Sequence, residues 1–402
     1  MIIGTRNYVT VAITVLLAIA SFAAGFLAND LVELRAGSAQ SADKEAQFAL
    51  FWEAWSWVES SYIGELPPIR QVTYGAIRGA LNELDDPYTV FVEPPAREQE
   101  RETLRGSFGG IGAHISRAEN GDVILEPIPE NPAAAAGIQS GDIRLAVDGQ
   151  PIGDELTVEQ IADLIRGEKG SIVTLTLLQA ELSEPVDVQI VRGDILIPSV
   201  SYRLLAEAPT VGYIQLSRFS GESSNEIEAA LRDLQEQGAR QLILDLRRNG
   251  GGLLDAAVEV ADHFLVEGPI LYQQSKGQNE QIFEADGETA AGDLPVIILI
   301  DGGTASSSEI LAGALQDRGR AMLMGARTFG KGSVQLVYDL SDGSSVHVTA
   351  SRWLTPERTE IDQQGLSPDV VVETTQEDID NGQDVVLHRA IDYFENGTAN
   401  GN

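Results

Sequence analysis

The 402-residue chain contains no cysteine and few basic or imidazole side chains. Without cysteine there can be no disulfide bond, thiol catalysis or Cys-ligated zinc. Its histidines are too widely spaced for a helical metal motif such as H-E-x-x-H, and no metal or other cofactor is predicted; they are His114, His263, His347 and His388. Only 27 residues are Lys or Arg against 61 Asp or Glu, a formal net charge of −34. Because phosphate binding needs a basic surface, we expect no nucleic-acid partner.

Charge is also absent from the segment Tyr8 to Ala28. At about 1.5 Å per residue this segment can span a hydrocarbon core of about 30 Å. Arg6 precedes it and acidic residues follow, so the rest of the chain should be exported to the periplasmic or cell-surface side. Cleavage at Gly37-Ser38-Ala39, as in a signal peptide, is the alternative. The apolar run is longer than a usual signal core, which favours an uncleaved anchor in the inner or plasma membrane.

The pattern of apolar and polar residues changes along the chain and predicts an α/β multidomain protein. After residues 1–40, helical periodicity dominates residues 41–104. Residues 105–192 form a β-rich module with one clear helix, Thr157 to Arg166. Residues 193–373 alternate strands with helices, and residues 374–402 are predicted to be an acidic tail with one short helix. An aromatic stripe at helical spacing suggests a packing face or a homodimer contact; it comprises Phe48, Phe51, Trp52, Trp55 and Val58.

Two strand–loop–helix units stand out in the third region. The apolar runs Gln241 to Leu246 and Pro295 to Ile300 predict buried strands. Each is followed by glycines and then a helical pattern, over Leu254 to Phe264 and Ser306 to Gln316. This alternation is typical of a parallel sheet covered by helices. Sites in such sheets form at the carboxyl ends of the strands, where both glycine-bearing loops fall.

Ser306 is placed at the second strand-to-helix junction, where backbone N–H groups and a helix dipole could stabilise an oxyanion. The alternative is that Ser306-Ser307-Ser308-Glu309 is simply a capping box. Lys331 lies between Gly330 and Gly332 and could serve as a base, if burial without a counter-ion lowered its pKa. A surface lysine beside a turn is the alternative.

Gly325 to Lys331 also fits the start of a phosphate-binding loop, G-x-x-x-x-G-K. That motif requires Ser or Thr next, whereas this chain has Gly332. A helix should follow, but Val334 to Tyr338 alternates like a strand. Nucleotide binding is therefore rejected. The earlier loop, Asn249 to Gly252, either directs backbone N–H groups at a substrate carbonyl or only makes a tight turn.

Four motifs in this order resemble the C-terminal processing peptidases, also called tail-specific proteases. They are Asp245-Leu246-Arg247-x-Asn249-x-Gly251-Gly252, Gly303-Thr304-Ala305-Ser306-Ser307-Ser308-Glu309-Ile310, Gly330-Lys331-Gly332-Ser333-Val334-Gln335, and Leu354-Thr355-Pro356 followed by Gly365-Leu366-Ser367-Pro368-Asp369. The resemblance covers most of residues 45–373. Departures are mild, with Asp301-Gly302, Gly250 and Ser307 standing where other residues are common.

The resemblance implies an α/β core of the ClpP/crotonase-like type and a Ser–Lys dyad. Its nucleophile would be Ser306, its base Lys331, and Gln335 would orient the lysine. The oxyanion donors would be the backbone N–H groups of Gly251 and Ser307. No metal or cofactor is implied.

The middle module resembles a PDZ domain. Its carboxylate-binding loop would be Phe108-Gly109-Gly110-Ile111-Gly112, and Asn131 to Asp142 resembles the mid-domain signature. Such a loop holds a chain-terminal carboxylate while the peptide adds a strand beside it. Ile111, Ile161 and Ile165 are predicted to line the side-chain pocket.

The leading hypothesis is thus an exported serine endopeptidase that binds protein or peptide substrates by their C-termini and cuts near them. A membrane-anchored, non-catalytic peptide-binding scaffold of the same fold is one alternative. A Ser-His-Asp hydrolase that uses His347 is another, although no G-x-S-x-G elbow is present.

Overall fold

In the computed structural model, the described residues are 44–396, apart from 119, 154, 179–183 and 288. The predicted anchor, residues 8–28, lies outside this range. Among the described helices, none has the length and apolarity needed to cross a membrane. The chain divides after Ala76 into two compact units.

The first unit is helical. Helix α1 covers residues 44–61, and helix α2 (Ile69–Asn82) runs across the division between the units. The rings of the predicted stripe contact one another along α1, with centroid distances of 5.5 Å for Phe48–Phe51 and 5.1 Å for Phe51–Trp52. Phe48 and Trp52 remain about half exposed. The helical prediction is confirmed, while the role of the stripe as a dimer contact stays a prediction.

The second unit begins with a short strand and a helix, followed by the β-rich module. These elements are β1 (Val90–Val92), α3 (Pro94–Arg105), β2 (Ser107–Gly110), β3 (Ala113–Arg117), β4 (Val123–Pro127), α4 (Pro132–Ala135), β5 (Asp142–Val147), β6 (Gln150–Pro151), α5 (Val158–Ile165), β7 (Ile172–Leu178), β8 (Val186–Val191) and β9 (Gly193–Leu196). The predicted helix over Thr157 to Arg166 is confirmed as α5. It begins at a capping box, in which the Thr157 hydroxyl accepts from the Gln160 N–H (3.2 Å) and the Gln160 side chain accepts from the Thr157 N–H (2.9 Å).

The module forms an antiparallel sheet in the order β3-β4-β5-β7-β8, with β6 on β5, while β2 pairs separately with β9. Alternate residues of β7 point into the core, where Val173, Leu175 and Leu177 are fully buried with Ile161 of α5. Strand β3 lies at the edge of the sheet, and α5 packs next to it. A free strand edge beside a helix is the arrangement to which an extended peptide can add.

The third region contains two further sheets and their helices. Its elements are β10 (Val200–Leu204), β11 (Val211–Leu216), α6 (Ser223–Glu236), β12 (Gln241–Asp245), α7 (Leu254–Asp262), β13 (Pro269–Ser275), β14 (Gln281–Glu284), β15 (Val296–Ile300), α8 (Ser307–Asp317), β16 (Ala321–Gly325), β17 (Ser333–Asp339), β18 (Ser345–Leu354), β19 (Val370–Val371), α9 (Gln376–Asp380) and α10 (Val385–Asn396).

The central sheet has the order β10-β11-β12-β15-β16-β19 and is parallel from β11 onward. Leu242 and Leu244 of β12 face the cluster built with α6, α7 and α8, whereas Ile243 faces the opposite cluster. Both faces are therefore buried, which is why the strands read as continuous apolar runs. The parallel α/β prediction is confirmed.

A second, antiparallel sheet has the order β1-β18-β13-β14, with β17 also paired to β18. Strand β17 begins at Ser333, two residues after Lys331, so a strand stands where a phosphate-binding loop would need a helix. The side chain of Trp353 on β18 is buried in the main core cluster, which fixes this sheet to the central one.

The C-terminal segment differs from the predicted acidic tail. It contains two helices, and α10 covers the outer face of the central sheet with four buried residues: Val386, Leu387, Ala390 and Ile391. Arg247 ties the start of this segment to the sheet, since its guanidinium donates to Asp245 (2.6 Å) and Asp384 (2.7 Å). Acidic composition concealed an amphipathic helix whose apolar residues recur at helical spacing.

We expect Ile391→Ala to lower the free energy of unfolding of the second unit by about 2–4 kcal/mol, because it leaves a cavity under α10. Arg389→Ala, on the exposed face of the same helix, should change it by less than about 0.5 kcal/mol. Hydrogen exchange of the β12 and β15 amides measures both effects. Equal protection in the two variants would show that α10 does not stabilise the sheet.

Candidate active site

Ser306 stands between the end of β15 and the start of α8, in a backbone conformation that few non-glycine residues adopt. Its φ is +56° and its ψ is −118°. Backbone strain of this kind is often found at functional sites, which agrees with the predicted role of Ser306. Its surroundings hold it there, since the Ser306 N–H donates to Glu309 Oε2 (2.8 Å) and the Ala305 N–H donates to the Asn249 carbonyl oxygen (3.0 Å).

Glu309 is the most heavily bonded carboxylate near the serine and has no solvent exposure. One oxygen accepts from the backbone N–H groups of Ser306 (2.8 Å) and Lys331 (2.9 Å). The other accepts from the Gly330 N–H (2.7 Å) and the Thr328 hydroxyl (2.6 Å). A buried carboxylate with four donors is well satisfied and rigid. The capping-box glutamate thus joins the backbones of the two predicted dyad residues.

The first glycine loop lies directly beside the serine, because β12 and β15 are neighbours in the sheet. Gly251 has φ +99°, and a Cβ there would lie 2.9 Å from Ser306 Cβ and 2.9 Å from the Ser307 nitrogen. Glycine is therefore required by both conformation and space. The structure brings together the two predicted oxyanion donors, Gly251 and Ser307, next to the predicted nucleophile.

Asn249 holds the glycine loop in place from a fully buried position. Its side-chain amide donates to the Leu216 carbonyl oxygen (2.8 Å), and its Oδ1 accepts from the Gly251 N–H (2.9 Å). Its own carbonyl oxygen accepts from the Ser308 hydroxyl (2.9 Å). The Gly251 N–H therefore already has an acceptor, which an oxyanion would have to share or replace. The Ser307 N–H is the first of α8 and so has no helical partner.

Lys331 is partly buried, and this burial lowers the pKa of its ammonium, against the opposing effect of Asp86, Glu100 and Glu309. Burial was predicted, but the pocket is not free of negative charge as the prediction required. Lys331 Nζ lies 5.1 Å from the centroid of the Tyr88 ring. Within the part of the chain that the structure describes, no hydrogen bond joins this nitrogen to the Ser306 hydroxyl.

Two further candidate residues, Gln335 and His347, make no hydrogen bond to Lys331 within the described residues. Gln335 lies on β17, where its side-chain amide donates to the Ser333 hydroxyl (2.9 Å). Its role in orienting Lys331 stays a prediction. His347 lies on β18, paired with Val337 and Val90, and its Nε2 is 3.2 Å from Glu100 Oε2. That carboxylate, rather than Ser306, is its polar neighbour, which gives no support to a Ser-His-Asp arrangement.

The predicted carboxylate-binding loop runs from β2 to the edge strand β3. The Gly109 carbonyl oxygen accepts from the Gly167 N–H (3.1 Å), and a Cβ on Gly109 would overlap Gly167. The Phe108 ring lies 4.9 Å from the Arg166 guanidinium. Gly110 pairs with Gly193, and Gly112 adopts φ +70°. Ile111, Ile161 and Ile165 are buried in the module core, and their role in lining a side-chain pocket stays a prediction.

Sequence reasoning missed the roles of three residues at this site. The sequence marks Glu309 as a capping-box residue and a motif member, but gives no sign of its bonds to the lysine segment. It marks Asn249 as part of the glycine loop, but not as the residue that fixes Gly251. Tyr88 carried no signal, because it reaches Lys331 from a distant part of the chain.

Comparisons with known proteins agree with this architecture. Residues 210–372 match Peptidase family S41, and residues 123–179 match the PDZ domain. The carboxy-terminal-processing protease of Bartonella bacilliformis is 35% identical over 346 residues, which cover 85% of this chain and 78% of that protein. The carboxyl-terminal-processing protease of Synechocystis sp. is 38% identical over 352 residues, covering 86% and 82%. The solved photosystem II D1 C-terminal processing protease is 34% identical, with a TM-score of 0.46 over 81% of this chain and 92% of that one.

These relationships define the class, a serine-type peptidase that carries a PDZ domain. The chain belongs to peptidase family S41, among the carboxyl-terminal processing proteases.

We expect Glu309→Gln to lower kcat/KM by about 100-fold, because its amide would face backbone donors and displace Ser306 or Lys331. Glu236→Gln, an exposed substitution of the same kind on α6, is the matched control and should leave kcat/KM unchanged. Steady-state cleavage of an unstructured protein measures both. Full activity in Glu309→Gln would contradict the positioning role of this carboxylate.

Proposed function

We propose that this protein is a Ser–Lys endopeptidase that captures substrate C-termini on its PDZ domain and cleaves near them. The observation that carries the proposal is the Glu309 carboxylate, which holds Ser306 and Lys331 by their backbones within one network. The strained Ser306 backbone beside Gly251 adds to this support.

In the proposed mechanism, neutral Lys331 takes the proton of the Ser306 hydroxyl while Oγ attacks the substrate carbonyl carbon. The resulting oxyanion accepts hydrogen bonds from the N–H groups of Ser307 and Gly251, the latter turning from Asn249 Oδ1. The leaving amine then takes the proton, and a Ser306 ester remains. Water, deprotonated by the same lysine, attacks the ester carbonyl. The new carboxyl terminus is released as the Ser306 Oγ bond breaks, and Lys331 returns the proton to Oγ. Gln335 would orient the Lys331 side chain for these proton transfers.

We place this activity outside the cytoplasm, with residues 8–28 as the anchor. The uncharged segment and its basic flank at Arg6 support this location. Substrates would then be exported or membrane-attached proteins with accessible C-termini. A homodimer formed through the aromatic stripe on α1 is consistent with the exposure of Phe48 and Trp52.

Ser306→Ala and Lys331→Ala should each lower cleavage of an unstructured protein by at least about 10³-fold, since each removes one half of the dyad. Ser341→Ala and Lys276→Ala change exposed residues of the same types and should cleave like the wild type. The full-length chain is used, and products are identified by mass spectrometry. Normal cleavage by Lys331→Ala would refute the dyad. Tail binding without cleavage by the wild type would favour the scaffold.

Capture of the C-terminus predicts that a substrate ending in a free carboxylate is cleaved more efficiently than the same substrate ending in an amide. We expect kcat/KM to fall about tenfold or more on amidation, mainly through KM, because the loop at Phe108 to Gly112 loses its anionic ligand. A short peptide with a free carboxylate should compete with the substrate, and its amide should not. Equal kcat/KM for acid and amide would exclude recognition of the carboxylate.

A further inference from the structure

Four groups surround Lys331 Nζ, and they come from three separate parts of the chain. The Tyr88 ring lies 5.1 Å away, from the segment before β1. The charged groups are carboxylates: Asp86 precedes the same ring, Glu100 lies on α3, and Glu309 lies on α8. Glu100 is itself shared with Arg97 and His347. The lysine therefore sits among anions that favour its ammonium form, with an aromatic ring on one side.

The position of Tyr88 is fixed by a short chain of hydrogen bonds. Its N–H donates to Asp86 Oδ1 (3.1 Å), and the Thr89 hydroxyl donates to Asp86 Oδ2 (2.6 Å). That hydroxyl in turn accepts from the Thr349 N–H on β18 (3.1 Å), and Thr89 is buried. These hydrogen bonds hold the segment that carries the Tyr88 ring against β18.

The same strand also holds the lysine. The Trp353 indole, near the end of β18, donates to the Lys331 carbonyl oxygen (3.2 Å). Thr349 of β18 pairs with Gln335 of β17. Gln335 lies two residues after Ser333, at which β17 begins. Strand β18 consequently sets the distance between the lysine backbone and the tyrosine ring, so their contact is part of the fold.

The phenol itself is not suited to replace the lysine as a base. Burial, with Asp362, Glu309 and Asp86 nearby, raises the pKa of the Tyr88 hydroxyl, so it stays protonated. What Tyr88 offers the lysine is its ring face, which both attracts a cation and keeps water away. Full hydration stabilises an ammonium more than contact with an aromatic ring does. Exclusion of water by the ring therefore favours the neutral amine, even with three carboxylates nearby.

We propose that Tyr88 is a positioning residue for the catalytic base, covering Lys331 Nζ with its ring and excluding water from it. This inference rests on the proposed function, in which Lys331 is the base. It assigns to the segment between α2 and β1 a direct part in the protease site.

The test is a titration of Lys331 in the full-length chain labelled with ¹³C-lysine. The sequence has four lysines, so the Cε signal lost in Lys331→Arg identifies residue 331. In Tyr88→Ala, water reaches the ammonium, and the Lys331 pKa should rise toward its ordinary value. Tyr88→Phe retains the ring and should titrate like the wild type. Tyr338→Ala, which removes an exposed tyrosine from β17, is the matched control and should also be unchanged.

The same variants are assayed for kcat/KM across pH. Because only the neutral lysine accepts a proton, activity rises with pH through the Lys331 pKa, and Tyr88→Ala should shift this rise to higher pH. Each unit of upward shift lowers activity at neutral pH about tenfold, while activity at high pH is retained. Tyr88→Gln, which keeps bulk but is polar, should shift in the same direction and serves if the alanine variant does not fold.

An unchanged Lys331 titration in both Tyr88→Ala and Tyr88→Gln would overturn the proposal, as would a Tyr88→Phe variant that titrates like the alanine variant. These outcomes are independent of the dyad assignment. If Lys331→Ala cleaved normally, the proposed function would fail, but the titration would still report whether Tyr88 shields this lysine.

Discussion

The site depends on one buried carboxylate, Glu309, which receives four hydrogen bonds from two stretches of chain, at Ser306 and at Thr328 to Lys331. A charge without solvent exposure is tolerated only when its lone pairs are filled, so each donor must be in place for the others to be stable. This requirement couples the serine turn to the segment Thr328 to Lys331. The Thr328 hydroxyl extends the network further by accepting from the Leu366 N–H (2.7 Å). The proposed nucleophile and the proposed base are therefore held by one hydrogen-bond network.

The parts of this architecture that follow from hydrophobic patterning were predictable from the sequence. Strands β12 and β15 are uninterrupted apolar runs because both of their faces are covered, and the helices after them begin where the glycine-bearing loops end. The serine at a strand-to-helix junction and the strand after Lys331 follow from the same reading. The glycine at position 251 was predicted from the motif, and its need for close approach to Ser306 explains why the motif contains it.

The parts that were not predictable depend on contacts between segments that are distant in the sequence. The strained φ of Ser306 reflects bonds to Glu309 and the packing of Asn249, which no local pattern encodes. The aromatic neighbour of Lys331 arrives through the pairing of β1 with β18. The expectation of a lysine without nearby anions failed because three carboxylates converge from separate elements. The helix α10 was obscured by its charged residues, although its apolar positions had helical spacing.

The packing of α10 also affects how accessible this part of the chain is to proteolysis. An extended peptide can bind as an added strand, whereas a segment held in a packed helix cannot. Here the last described helix contributes buried side chains to the sheet that carries the glycine loop, and Arg247 binds its leading aspartate. Cleavage within residues 385–396 would first require this helix to be released from the core. The buried face of α10 therefore also protects the peptide bonds of this helix.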